Sequence, residues 1–167
     1  MVEFVVVTGL SGAGRTQVGN TLEDLGWFVI DNLPSELIPK VAELARFRTS
    51  SPAPVALIVG SDGGFEEVAP ALDQLRSSGA GVRTVFLDAS NATLVRRYGD
   101  TKRRHPLLAD IGSVEGAIEE ERRRLASVRE SADIVIDTTD LNVHDLRRRV
   151  VELFGESDGC DSTQVTV

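Results

Sequence analysis

Glu3-Phe-Val-Val-Val-Thr-Gly-Leu-Ser-Gly-Ala-Gly-Arg-Thr16 is the stretch on which the fold turns. Its apolar run 4–7 reads as a strand and its glycines as a turn. The residues that follow read as a helix carrying Val18, Leu22 and Leu25 on one side. Gly9, Gly14 and Thr16 fill the pattern G-x-x-x-x-G-K-[ST], and only the lysine position departs, being Arg15. Glycines let the backbone curl so that successive N–H groups face one anion. The helix N-terminus then adds roughly half a positive charge. The candidate phosphate-binding residues are therefore Gly9, Leu10, Ser11, Gly12, Ala13, Gly14, Arg15 and Thr16. Thr16 would place its hydroxyl on the Mg²⁺ that accompanies a nucleotide, and Arg15 is a candidate catalytic cation. The alternative is a glycine-rich strand-to-helix turn without a ligand.

Outward from this motif, further apolar runs at 27–31, 54–60, 82–88 and 133–137 join the first at 3–8 as strand candidates. Near-continuous apolar runs suit a parallel sheet covered on both faces. Helical spacings fall between them: Leu37, Val41, Leu44; then Phe65, Val68, Leu72, Leu75; then Val114, Ile118, Leu125, Val128; then Val143, Leu146, Val150, Leu153. Ser35 precedes the second helix and Asn91 the fourth, as capping residues do. Alternating strands and helices predict an α/β domain with a doubly wound, parallel five-stranded sheet.

With 167 residues and 41% hydrophobic content the chain suits one domain with its own core, and the single Cys160 can form no internal disulfide. No apolar run approaches the ~18 residues a membrane helix needs, and Glu3 inside the first run argues against a signal peptide. A soluble, cytoplasmic protein is expected. Its 18 basic and 26 acidic residues give a net charge of −8, which argues against a general nucleic-acid surface. One basic island, with Arg96, Arg97, Lys102, Arg103 and Arg104 against Asp100, stands out. It reads either as an arginine flap closing on phosphates, with Arg103 and Arg104 as candidate catalytic residues, or as a solvated helix face. Residues 103–113 form a long connection that suits a mobile flap.

Asp31 and Asp88 end strands, where open α/β sheets bind ligands. Asp31 could equally make a turn, and Asp88 could orient the basic island. His105 and His144 lack partners at ligand spacing and receive no role. The run 119–124 reads as a solvated helix face. The domain is expected over 1–154, with 155–167 a polar linker and the start of a further domain.

The pieces Gly-Leu-Ser-Gly-Ala-Gly-Arg-Thr (9–16), Asp-Asn-Leu-Pro (31–34), Phe-Leu-Asp-Ala-Ser (86–90), Arg-Arg-Tyr (96–98), Lys-Arg-Arg-His-Pro-Leu (102–107) and Asp-Ile-Val-Ile-Asp-Thr (133–138) together resemble the RapZ/YvcJ family. These are bacterial P-loop nucleotide-binding proteins, some of which act as RNase adapters. The resemblance implies a nucleotide-kinase-like P-loop NTPase fold with an arginine-containing lid, and binding of ATP and GTP with Mg²⁺ and weak hydrolysis of both. It also implies a C-terminal domain through which any RNA would be bound. The family's second nucleotide motif falls on Gly60, Ser61, Asp62 and Gly63, where this sequence departs: Gly60 brings no carboxylate and Asp62 inverts the expected charge. The reading is a nucleotide-binding regulatory domain with weak ATPase or GTPase activity. A small-molecule or nucleotide kinase and an inactive anion sensor remain the alternatives, and homo-oligomer formation stays open.

Overall fold

The computed structural model describes residues 3–46, 54–59, 65–77, 81–100, 104–105 and 107–155. These form five strands, β1 (Glu3–Gly9), β2 (Phe28–Leu33), β3 (Val55–Val59), β4 (Gly81–Asp88) and β5 (Ile134–Asp137), in one parallel sheet of order β2-β3-β1-β4-β5. The order is that of a doubly wound sheet, as the sequence predicts. Central position explains the apolar runs: β1, β3 and most of β4 are buried residue after residue. The outer strands β2 and β5 are only partly covered, so the expectation of strands covered on both faces fails at the two edges.

Helices α1 (Arg15–Asp24) and α8 (Val143–Phe154) pack against each other on one face. The connections carrying α2 (Ile38–Arg46), α3 (Phe65–Ser77), α4 (Asn91–Gly99), α5 (Leu108–Ile111), α6 (Val114–Arg124) and α7 (Ala126–Ser131) cover the other, as right-handed crossovers require. Several stripe assignments need correction. A 3₁₀ turn at Ser35–Leu37 precedes α2, so Ile38 faces the core and Leu37 and Leu44 face outward. The stripe Val114 to Val128 belongs to two helices that break at Leu125, and Val143 is exposed at the start of α8. Ser90, not Asn91, caps α4, its hydroxyl accepting the Thr93 N–H. Residues 107–113 contain the short α5 and end on Ser113, whose side chain caps α6.

Among the described residues, no helix is long and apolar enough to cross a membrane. The expected motif at Gly60, Ser61, Asp62 and Gly63 lies outside the described residues, as do Lys102, Arg103 and the tail from 156.

Candidate functional site

β1 stands at the point where the connections run outward to either side, the position at which open α/β sheets bind ligands beyond the strand ends. The loop 9–16 leaves β1 at this point. Gly9, Gly12 and Gly14 all have positive φ, at 146°, 88° and 114°, which side-chain-bearing residues rarely adopt. Gly14 is the N-cap of α1 and offers no side-chain cap. The first-turn amides of α1 have no carbonyl of their own helix to bond, so a ligand or water must satisfy them.

The outer side of the loop is tied down all round. Leu10 N–H donates to Leu87 O at 3.1 Å, fixing the loop to the end of β4, and Ala13 N–H donates to Leu10 O at 3.0 Å. Arg97 donates to Gly12 O at 3.0 Å, and Thr138 Oγ1 donates to Ala13 O at 2.8 Å. Arg97 also donates to Thr138 O at 2.6 Å, so one guanidinium joins the loop to the residue after β5. Burial and the neighbouring Arg96 push the Arg97 pKa down, while Asp137 opposes them. The group stays charged, as arginine does in proteins.

The fourth tie comes from Glu121, a fully buried carboxylate on α6. It accepts Ser11 N–H at 2.9 Å and Ser11 Oγ–H at 2.7 Å. The expectation of a solvated face over 119–124 therefore fails at Glu121, whereas Glu119 and Arg123 are exposed. His105, expected to have no role, is buried 3.0 Å from the same carboxylate. Glu121 had a signal in the sequence: it lies three residues after Ile118 and four before Leu125, on the buried stripe. Arg97 had one too, three residues after buried Leu94, whereas Arg96 faces out.

Arg15 donates to Val59 O at 2.8 Å, so its guanidinium is tied to the end of β3. Thr16 is exposed in the first turn of α1, where its hydroxyl can serve as one metal ligand. Arg104 is exposed, and no described contact brings it to the loop. Among the described residues, Asp88 contacts no member of the basic island. Its carboxylate accepts from Arg122 at 2.8 Å and Arg129 at 2.9 Å, on α6 and α7. Asp31 is exposed and accepts the Asn32 N–H at 2.7 Å, next to the positive φ of Asn32 and the register shift that turns Leu33 inward. The bond is local to the irregular end of β2.

Asp137, at the end of β5, accepts from Thr139 Oγ1 at 2.5 Å and from Thr139 N–H at 2.9 Å. These bonds, the hydroxyl first, hold its pKa below the usual carboxylate value. A depressed carboxylate pKa contributes stability above the unfolded-state pKa and loses it as pH falls through the folded one. Thr139→Ala is expected to move the Asp137 titration upward and to narrow that acid-side loss. An NMR titration in which Asp137 does not move would refute the assignment.

The model of the RapZ-like N-terminal domain matches residues 2–158. A nucleotide-binding protein of Thermobifida fusca is 47% identical over 157 residues, covering 93% of this chain and 53% of that protein. One from Leifsonia xyli is 42% identical over 167 residues, covering 99% of this chain and 56% of that protein. The chain thus spans about half the length of the curated relatives it matches. Among solved structures, shikimate kinase from Acinetobacter baumannii superposes with a TM-score of 0.63 at 21% identity, covering 96% of this chain and 97% of that one. A gluconokinase from Sinorhizobium meliloti does so with a TM-score of 0.58 at 23% identity, covering 96% and 97%. At these identities the likeness establishes a P-loop kinase fold and nothing about substrates. Sheet order, loop and family match agree: the chain belongs to the RapZ-like N-terminal domain family.

Proposed function

We propose that this domain binds a nucleoside triphosphate, ATP or GTP with Mg²⁺, at residues 9–16, and acts as the nucleotide-binding regulatory part of a longer protein. The observation that supports this best is the set of ties around the outside of the loop. Arg97 and Thr138 engage the Gly12 and Ala13 carbonyls from outside, at the start of a helix whose first amides need an acceptor. Relatives named as nucleotide-binding proteins support the same reading. Mg²⁺ would take the Thr16 hydroxyl as its one ligand from the loop, with phosphates and water completing the shell. ATP or GTP hydrolysis would be slow, because Arg15 is engaged at Val59 and Arg104 stands apart.

The test is thermal unfolding with and without Mg-ATP or Mg-GTP. A ligand at a hundred times its Kd adds about 2.7 kcal/mol. For a domain of this size that raises the midpoint by about 5–11 °C. If neither nucleotide shifts the midpoint, the proposal falls. Phosphate release measured with and without small hydroxyl acceptors separates slow hydrolysis from a kinase.

RNA binding would belong to a further domain of the longer protein. The net charge of −8 and a single basic island leave this chain few phosphate contacts. It is expected to show no measurable RNA binding at physiological salt in a mobility-shift assay. Tight binding would point to the surface around Arg96 and Arg104 instead.

A further inference from the structure

We propose that Glu121 and His105 are positioning residues of the phosphate loop, joining it to the segment that carries Arg104. The inference rests on the phosphate-binding reading of residues 9–16.

A carboxylate taken out of water needs donors on its oxygens. Glu121 finds three. Ser11 supplies its N–H at 2.9 Å and its hydroxyl at 2.7 Å, and His105 supplies the third at 3.0 Å. The histidine tautomer follows from its other nitrogen. Leu107 N–H donates to His105 Nδ1 at 3.1 Å, so Nδ1 is the acceptor and Nε2–H is the donor to Glu121. The chain is thus directional, from the backbone of 107 through the imidazole to the carboxylate and the loop.

Both Glu121 and Ser11 are buried, at 0% and 3% exposure, so neither reaches a substrate and their role is to hold geometry. Ser11 stands between Leu10, pinned to Leu87, and Gly12, at a φ of 88°. Fixing the peptide of Ser11 sets the direction in which the following amides point. Tyr98 closes the cluster. Its ring lies 5.4 Å from the His105 ring, and its Cε2 lies 3.3 Å from where a Cβ on Gly12 would stand. Ser11, Tyr98 of α4, His105 and Glu121 of α6 therefore meet in one cluster, buried at Ser11, His105 and Glu121. Displacing His105 would disturb the Glu121 carboxylate that holds Ser11.

The test uses the full chain, with Mg-ATP and inorganic tripolyphosphate as probes. His105→Leu removes the donor to Glu121, whereas His105→Gln can keep an N–H near the Nε2 position. His105→Leu is expected to weaken both probes about tenfold or more, the scale of one lost bond to a charged group. It should also raise hydrogen exchange at the amides of residues 11–14. His105→Gln should recover most of the affinity. Ser11→Ala, which spares the buried histidine, should lose affinity in the same direction and carries the test if His105→Leu does not fold. Variants that bind as wild type does, with only a lowered thermal midpoint, would show a purely structural knot and overturn the inference while leaving phosphate binding intact. A wild-type chain that binds neither probe would overturn the phosphate-binding reading and this inference with it.

Discussion

Gly9→Val is expected to lower the thermal midpoint of the domain by about 4–24 °C. Gly9 has a φ of 146°, a conformation that a β-branched residue adopts only under strain. Space is lacking as well. A Cβ on Gly9 would stand 2.3 Å from Leu87 O and 2.6 Å from Leu87 N, and both are backbone atoms of β4. They cannot swing aside, because Gly9 and Leu87 are partners in the central pairing of the sheet and Leu10 N–H bonds that same carbonyl. Backbone strain of about 1–3 kcal/mol adds to overpacking of about 1–3 kcal/mol. The total, about 2–6 kcal/mol, is a large part of the stability of a typical domain and gives the stated shift at about 2–4 °C per kcal/mol. Gly26→Ala is the control: its φ is 95° but nothing lies within 4 Å of the added Cβ, so it meets strain without the collision. Circular dichroism on both variants is the measurement. Equal midpoints for the two would mean that β4 yields and that the close approach is not a constraint.

The same contrast between central and peripheral positions governs how much of the molecule the sequence discloses. Phe4 to Val7, Val55 to Val59 and Val85 to Leu87 are apolar in succession because each has a strand on both sides and helices above and below. Their pattern needs no partner to be read. In α2, one-residue precision is needed to decide which side faces the core, and the 3₁₀ turn before it rotates the helix so that Ile38 takes the place expected of Leu37. The loop 9–16 is legible since each glycine answers a local backbone demand. Its supports are not, because Glu121 and Arg97 lie 110 and 85 residues from their loop partners. Their identities are those of surface residues, and charge patterning alone assigns them to solvent. Only their place on the buried stripes of α6 and α4 gives them away. Pairing obeys the same rule: Asp88 draws its two arginines from α6 and α7, helices the sequence leaves without a fixed orientation towards β4.

Arg15→Lys is expected to raise nucleoside triphosphate turnover about ten- to a hundredfold, provided the domain binds its nucleotide as proposed. A lysine in this position is a compact point charge on a flexible stem that can reach the β- and γ-phosphates from within the loop. Arginine keeps the charge but carries it on a longer, planar fork. Here that fork has found a different acceptor, the Val59 carbonyl 2.8 Å away at the end of β3. Nucleotide affinity should change little, since the loop amides and the start of α1 supply binding in both proteins. Transition-state stabilisation should change more, because it requires a donor where negative charge develops during phosphoryl transfer. One charge-assisted hydrogen bond correctly placed is worth about 1.5–3 kcal/mol, and each 1.36 kcal/mol is a factor of about ten in rate. Single-turnover phosphate release and calorimetric Kd values on the two proteins separate these effects. If turnover stays at the wild-type level with affinity intact, the shortfall does not lie at Arg15. The departure at Gly60 and Asp62, where the sequence lacks the expected carboxylate and carries an inverted charge, would then account for slow hydrolysis, and the domain would act through binding alone.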